Sequence, residues 1–292
     1  MGFLDRPPVS LDGKTIKIIA IVTMFIDHLT CCFLEVATTA DGVSLMYVIP
    51  YGEELDSFGR MIGRCAFPVF CFMIVEGFIH TKSRGRYLVR LLIFAAVSQI
   101  PFKLIFYPDS LKPHHDTIFT LLIGYLVIWG TDILSRFLLE EEYHTVPVDP
   151  GHAGADPVRQ AAKRLFCRDQ EKAGEKKEGR NIPALIVFMI LTALLFAGGA
   201  QISYLTGCDY RYGGVGTILL LYVFYRIRPL SLLLAWAWLT VYNQSEYMAI
   251  TGFWLIWCYN GKRGRQNKYF FYVFYPLHLL LLYLIRRQIF GM

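Results

Sequence analysis

Hydrophobic residues are grouped along the chain into runs of bilayer length, separated by polar connections. A helix needs about 20 predominantly apolar residues to cross a membrane, whereas a membrane β-barrel shows short alternating segments. The pattern therefore predicts an all-α, polytopic transmembrane bundle of about nine spans, within a range of eight to ten. The sixth, seventh and eighth runs are short. The nine runs are 15–36, 60–80, 87–107, 117–139, 182–205, 214–225, 230–242, 246–259 and 269–289.

Composition supports the membrane assignment. Of the 292 residues, 55% are hydrophobic and only 18% are charged, against about 25% charged residues in soluble domains. Mean hydropathy is +0.42. So little charge cannot cover the surface of one or two soluble domains, and that class is excluded.

One long polar stretch, residues 140–181, interrupts the apolar pattern. It holds three prolines and a run of charged residues, and it cannot bury enough apolar surface to fold alone. We interpret it as a cytosolic linker between the fourth and fifth helices. The rest of 1–292 is predicted to form a single integral-membrane domain.

The distribution of charge predicts the orientation of the chain. The net charge is +6, and most Lys and Arg residues lie in alternate connections, on the same side as the N-terminus. Cytoplasmic loops carry such an excess, so the N-terminus is predicted to be cytosolic. The first apolar run is too long for a cleavable signal peptide and is interrupted by Asp27 and His28. We expect a multi-pass protein of the plasma or inner membrane, with lipids rather than nucleic acid around it.

Ionisable residues inside predicted spans are costly, and each is a functional hypothesis. From the helical rise, four polar groups on four helices lie at similar depths. They are those of His28, Arg64, Gln99 and His278, and they predict a polar cavity in the outer half of the membrane. Asp27 is expected to pair with Arg64 or with another helix. The polar residues inside the spans are Asp27, His28, Arg64, Glu76, Gln99 and His278.

Each of these residues also has a structural interpretation. Glu76 is expected to form a salt bridge with Arg90. His278 shares a helix face with Tyr275, three residues earlier, and could serve only to join helices. Arg60 is placed at the membrane interface.

Lys17 and His28 lie on one face of the first helix, because 11 residues are close to three turns, or roughly 16 Å. This spacing puts a cation at the cytosolic interface and an imidazole near mid-membrane. An acyl-CoA could use both, with its phosphates at the interface and its thioester carried inward. Histidine is suited to general-base work near neutral pH. The alternative is that Lys17 only marks the start of the helix.

Metal chemistry is not expected. The seven cysteines show no CxxC pair and no Cys/His ligand spacing. We interpret them as small apolar packing residues.

Eight short motifs together resemble the TraX family of membrane proteins. They cover most of the chain outside 140–181. The motifs are LDG at 11–13, IDH at 26–28, IGRCAFPVF at 62–70, VEGFIHT at 75–81, RYLVRLL at 86–92, SQIPF at 98–102, YGGVG at 212–216 and YVFYPLH at 272–278.

The resemblance implies an acetyltransferase, because TraX is known for N-terminal acetylation of a conjugative pilin. The family is also similar to membrane acyltransferase-3 enzymes, which carry a basic residue, usually Arg, at the Lys17 spacing before a His. Those enzymes have Ser-Gly-Phe where this chain has Glu76-Gly77-Phe78. The implied donor is cytosolic acetyl-CoA, and the implied acceptor is an amine or hydroxyl of a pilin-like peptide or an envelope polymer such as a glycan.

The resemblance also implies roles for individual residues. His28 would be the general base or a transient acetyl carrier, and Asp27 would tune it. Lys17, Arg86 and Arg90 would hold the CoA phosphates. The acceptor or thioester pocket would be lined by Arg64, Glu76, Gln99, Tyr275 and His278.

Two other function classes remain open at this point. The same intramembrane acids and bases could form the relay of a proton-coupled transporter or permease. Lack of an evident internal repeat disfavours that class. The chain could also be a non-catalytic assembly factor of a conjugation or pilus apparatus.

Overall fold

The computed structural model describes residues 9–107, 113–139, 182–265 and 268–290. The predicted linker at 140–181 lies outside them. In these four ranges the chain is helical, and its only β-type pairings are three isolated bridges. The all-α prediction is therefore confirmed.

Ten α-helices follow one another along the described chain. A π-helical turn, Cys31–Glu35, continues the first helix, and a short 3₁₀ segment, Gln244–Ala249, precedes the ninth. The helices are α1 (Gly13–Thr30), α2 (Gly52–Gly63), α3 (Ala66–His80), α4 (Arg84–Phe106), α5 (Thr117–Leu138), α6 (Ile182–Leu205), α7 (Arg211–Val223), α8 (Arg228–Tyr242), α9 (Ile250–Trp257) and α10 (Lys268–Phe290).

The expected count of about nine spans is not confirmed. Six helical segments in the described ranges are long and apolar enough to cross a membrane. The sixth, seventh and eighth apolar runs form α7, α8 and α9, which have 13, 15 and 8 residues and fall short of a span. The six segments are Gly13–Glu35, Gly52–His80, Arg84–Phe106, Thr117–Leu138, Ile182–Leu205 and Phe270–Phe290.

The second apolar run is two consecutive helices rather than one. The α-helical hydrogen-bond pattern is interrupted at Arg64 and Cys65, although both residues keep right-handed helical dihedral angles. Pro68 explains the break, because proline has no N–H to donate to the carbonyl four residues earlier, which belongs to Arg64. The interruption places Arg64 at a helix junction.

Both ends of α1 have a defined local cause. The Asp12 carboxylate accepts hydrogen bonds from the amide and the hydroxyl of Thr15, each at 2.8 Å, and so caps the N-terminus. At the other end the π-helical turn makes wider backbone hydrogen bonds, a feature often found at functional sites.

Two glycines of α2 let it lie directly against α1. Gly59 faces Thr30 and Gly63 faces Asp27, so closely that a methyl group at either glycine would overlap with those side chains. Small residues four apart permit this kind of backbone approach between membrane helices. The contact brings the intervening Arg60 beside α1.

The chain divides into two compact units. One comprises Met1–Thr131 with Leu194–Met292, and the other comprises Asp132–Ala193. The first holds the aromatic core, where Phe78 meets the rings of Tyr125 and Tyr222 edge-on at 5.5 Å each. In the second, Arg136 pairs with Asp132 at 2.9 Å.

Candidate functional site

A cavity of about 930 Å³ runs beside α1 within the larger unit. Its lining includes Gly13 and Lys17 at one end of α1, His28 further along, and Glu35 past the other end. At 1.5 Å per residue these positions span about 30 Å. The predicted polar cavity therefore exists, but it follows α1 along its whole length instead of occupying only the outer half.

His28 of α1 and His278 of α10 are joined by a hydrogen bond. Their Nδ1 and Nε2 atoms, respectively, lie 2.8 Å apart. His28 lines the cavity, whereas His278 lies behind it with 3% of its surface exposed. The two histidines predicted on separate helices thus form one unit, and His278 supports His28 instead of lining the pocket.

Backbone chemistry fixes the direction of this hydrogen bond. Nδ1 of His278 lies 2.9 Å from the carbonyl of Phe274, which can only accept, so this nitrogen carries a proton. In a neutral His278 ring, Nε2 is then an acceptor, and Nδ1 of His28 must donate to it. The remaining nitrogen of His28, Nε2, is left with its lone pair. This is the tautomer that a general base requires.

Of the two partners expected for Asp27, Arg64 or another helix, the structure shows the second, because Asp27 pairs with Arg60 of α2. One guanidinium nitrogen of Arg60 lies 2.9 Å from Asp27, and another lies 3.1 Å from Glu35. Arg60 is partly buried at the cavity wall. The fork of Arg60 therefore ties α2 to both α1 and its π-helical turn, one residue from His28.

Arg64 pairs instead with Glu246 of the 3₁₀ segment, at 2.6 Å. Glu246 is 1% exposed, and its second oxygen has no hydrogen-bond partner among the described residues. Tyr210 lies 3.4 Å from Arg64 and stacks on the ring of Phe67. Arg64, Glu246 and Tyr210 thus form a connected polar group at the α1 C-terminal end of the cavity.

Asp209 adds another acid to this end of the cavity. Its carboxylate accepts from the hydroxyl of Thr117 at 2.8 Å. Burial raises the pKa of Asp209 above its usual value. At this end, acidic groups thus outnumber the two arginines Arg60 and Arg64.

Glu76 does not pair with Arg90, contrary to expectation. Its carboxylate accepts from the hydroxyls of Tyr225 and Tyr259, at 2.5 and 3.4 Å, and lies 3.4 Å from His80. Glu76 lines the cavity near the start of α1. Its partners hold it in place, so it contributes one fixed negative charge there.

The α1 N-terminal end of the cavity is basic. Lys17, Lys82, Arg90 and Arg263 all line it. In the described part of the chain, no acidic side chain forms an ion pair with Lys17, Lys82 or Arg90. The amine of Lys17 lies 5.6 Å from the centre of the Phe271 ring.

Comparison with known proteins identifies the family. The family model described as TraX protein matches residues 12–138 and 177–286. The chain belongs to the TraX family. This confirms the resemblance inferred from the motifs, and both matched segments together contain every residue of the cavity lining.

One curated relative extends the TraX comparison. The chain is 37% identical over 94 residues to a probable fimbrial assembly protein, FimC of serogroup H1, from Dichelobacter nodosus. The matched segment covers 32% of this chain and 32% of that relative. No solved structure matches this TraX-family chain.

Two predicted site residues lie away from the TraX-family cavity. The Gln99 amide donates to the carbonyl of His114 at 2.6 Å and accepts from the amide of Asp116, so it anchors a loop. Burial raises the pKa of Asp116 in that loop to about 7. Arg86 borders a surface groove that shares Lys82 and Arg90 with the cavity. Neither Gln99 nor Arg86 lines the cavity.

Tyr275 is a predicted site residue that does line the cavity. Its ring lies 6.0 Å from that of His28, and its hydroxyl has no hydrogen-bond partner within the described ranges. Sequence reasoning missed Arg60, Glu246 and Arg263 as site residues. A signal existed for Glu246, which is an acid within an apolar run. No group of His, Cys, Asp and Glu in the described residues could hold a metal ion.

Proposed function

We propose that this protein is an integral-membrane acetyltransferase of the plasma or inner membrane. It moves an acetyl group from cytosolic acetyl-CoA to an amine or hydroxyl of a membrane-associated or envelope acceptor. The observation that carries the proposal is the cavity itself, which joins a basic end to a histidine base oriented by a second histidine. Membership of the TraX family and the fimbrial relative fit a pilus-related membrane protein.

The basic end suits the donor. Lys17 and Arg90 are cations without acidic partners among the described residues, and phosphate groups supply the missing negative charge. Lys17 and His28 share one stripe of α1 and lie roughly 16 Å apart. A CoA anchored at Lys17 would carry its thioester along the cavity towards His28.

The His28 lone pair supplies the chemistry. As the acceptor N–H or O–H attacks the thioester carbonyl, Nε2 of His28 takes its proton. The carbon–sulfur bond then breaks, and the CoA thiolate takes that proton from His28. The products are the acetylated acceptor and free CoA, and His28 returns to its starting state. His278 accepts the Nδ1–H of His28 throughout and so stabilises the imidazolium while it exists.

The opposite end suits the acceptor. Arg60, Asp27 and Glu35 form a fixed polar wall, and Arg64 is held by Glu246. The excess of carboxylates accommodates hydrogen-bond donors such as an amine or a hydroxyl. A pilin-like peptide or an envelope polymer would enter here, with Tyr275 beside the reacting groups.

The test is acetyl-CoA binding and slow hydrolysis by the protein purified in mild detergent. We expect His28→Ala to lower turnover by about 10²- to 10⁴-fold, the usual contribution of a general base. His114→Gln is the matched control, because this histidine lies outside the cavity lining, and it should leave turnover within about twofold. Turnover unchanged by His28→Ala would contradict the assignment.

The second candidate is a non-catalytic assembly factor. The relative is named as a probable fimbrial assembly protein, which favours this candidate. Complementation of a pilus-assembly defect separates the two functions. An assembly factor would retain its biological function after His28→Ala, whereas the acetyltransferase would lose it.

A further inference from the structure

The loop between α9 and α10 has no role in the chemistry described above. Residues 260–265, here called the 260–265 loop, read Asn-Gly-Lys-Arg-Gly-Arg. Gly261 and Arg263 line the basic end of the cavity. Lys262 and Arg265 carry the same charge and are exposed, but they do not line it. The loop thus presents one selected cation to the cavity.

Backbone hydrogen bonds hold the start of this loop against the beginning of α1. The amide of Asn260 donates to the carbonyl of Leu11, and the amide of Gly13 donates to the carbonyl of Lys262, at 2.9 and 2.8 Å. The side chain of Asn260 accepts from the amide of Lys262 at 2.9 Å. Hydrogen bonds therefore fix the backbone on the N-terminal side of Arg263 against the beginning of α1.

Both glycines have left-handed backbone conformations that favour glycine. Gly261 has φ +76° and Gly264 has φ +72°. No atom lies within 4 Å of the position that a Cβ of Gly261 would take, so the space next to its Cα is open. Glycine at such a place lets an anionic group approach the backbone closely.

The charges around the loop specify the ligand class. Four cations, Lys17, Lys82, Arg90 and Arg263, border this end of the cavity, and Glu76 is the acid that borders it with them. Lys17, Lys82 and Arg90 have no ion-pair partner among the described acids, so positive charge exceeds the single negative charge of Glu76 at this end. A ligand with more than one phosphate balances it, and the arginine fork is suited to phosphate oxygens.

We infer that the 260–265 loop is a phosphate-binding element, in which Arg263 and the backbone at Gly261 hold a phosphate ester or pyrophosphate at the cavity mouth. The inference deepens the proposed function and rests on it for the source of the phosphate, the nucleotide of acetyl-CoA. An anionic phospholipid headgroup offers the same chemistry from the surrounding membrane.

The test measures binding of adenosine 3′,5′-bisphosphate to the detergent-purified protein by calorimetry. We expect Arg263→Ala to weaken binding by about tenfold or more, the loss of a hydrogen-bonded charge contact. Arg263→Lys should recover part of the loss. Lys262→Ala and Arg265→Ala, matched in charge and loop position, should change affinity by less than about twofold.

Three outcomes would overturn the inference. Equal weakening by all three alanine variants would mean general attraction by a basic surface. Unchanged affinity in Arg263→Ala would mean that the loop does not contact phosphate. Absence of binding both of the bisphosphate and, by native mass spectrometry, of phosphatidylglycerol would mean that no phosphate site exists here.

Two further arms separate the sources and separate this inference from the function. In nanodiscs, a bisphosphate affinity that does not depend on phosphatidylglycerol supports the nucleotide as the source of the phosphate. The lipid is supported if phosphatidylglycerol is retained only when Arg263 is present and if it blocks binding of the bisphosphate. The probe carries no acetyl group. Arg263-dependent binding without acetyl transfer would therefore support the phosphate-binding loop and contradict the proposed acetyltransferase. Acetyl transfer with unchanged bisphosphate binding in Arg263→Ala would support the acetyltransferase and contradict the phosphate-binding loop.

Discussion

The two ends of the cavity use the same residue types in opposite ways. At the α1 N-terminal end, Lys17, Lys82 and Arg90 have no ion-pair partners among the described acids. At the α1 C-terminal end, Arg60 is shared between two carboxylates, and Arg64 is bound to Glu246. Basic residues are therefore available for a ligand at one end and occupied by the protein at the other.

This difference separates binding from positioning. A cation already paired with a buried carboxylate gains little from a ligand, but its loss leaves an uncompensated charge. A cation without a partner adds little to the fold and much to the capture of an anion. Substitutions at the two ends should consequently affect different quantities, stability at one and ligand affinity at the other.

The largest effect is expected at the paired end. Glu246→Ala would remove the buried carboxylate that pairs with the partly buried Arg64, which should cost up to about 3 kcal/mol of unfolding free energy. Arg90→Ala at the basic end should change it by less than about 0.5 kcal/mol. Thermal unfolding followed with a thiol-reactive dye measures both, since the six described cysteines are all buried. Equal stability of the two variants would remove the distinction between the ends.

An equal or smaller loss of stability is expected where α2 meets α1. Gly63→Ala places a methyl group against Asp27 and should cost about 1–3 kcal/mol through overpacking. Gly198→Ala in α6 is the matched control, because no atom lies near its added methyl group, and it should be neutral or stabilising. If both variants unfold at the same temperature, close packing does not position Arg60.

Local features of this site could be read from the sequence. The stripe from Lys17 to His28 follows from helical periodicity alone, and both residues line the cavity as that stripe requires. Asp27, Arg64, Glu76 and Tyr275 were found because polar groups in apolar runs are exceptional. The helical fold followed from the length of those runs.

Partners between helices could not be read in the same way. Asp27 meets Arg60 instead of Arg64 because Gly59 and Gly63 set the approach of α2, and because Pro68 interrupts the helix after Arg64. Gln99 was expected in the cavity, but it anchors the loop around Asp116. These outcomes depend on helix rotation and packing, which depth along a helix does not determine.

Loss of the hydrogen bond between His28 and His278 is expected to have a moderate effect on turnover. His278→Leu removes the acceptor for the Nδ1–H of His28 and should lower turnover by about tenfold. His278→Gln retains an acceptor oxygen and should restore part of the activity. The pH profile of turnover distinguishes positioning from folding, since loss of the acceptor shifts the profile of His28. Identical profiles and rates in both variants would rule out a positioning role.

The smallest difference is expected between two arginines of α4. Arg90 lines the cavity and Arg86 does not, although the sequence assigned both to the CoA phosphates. Arg90→Ala should weaken acetyl-CoA binding by about fivefold, whereas Arg86→Ala should stay within about twofold. Fluorescence titration with a labelled CoA measures both. A larger loss in Arg86→Ala would place the donor site in the surface groove that Arg86 borders.

The most direct test of the account compares kcat and KM for acetyl-CoA in Lys17→Ala and His28→Ala. The two residues lie on one stripe of one helix, but they are assigned to binding and to chemistry. We expect Lys17→Ala to raise KM with kcat nearly unchanged, and His28→Ala to lower kcat by about 10²-fold or more with KM nearly unchanged. If both variants altered the same parameter, or if neither altered turnover, the division of labour along the cavity would be contradicted.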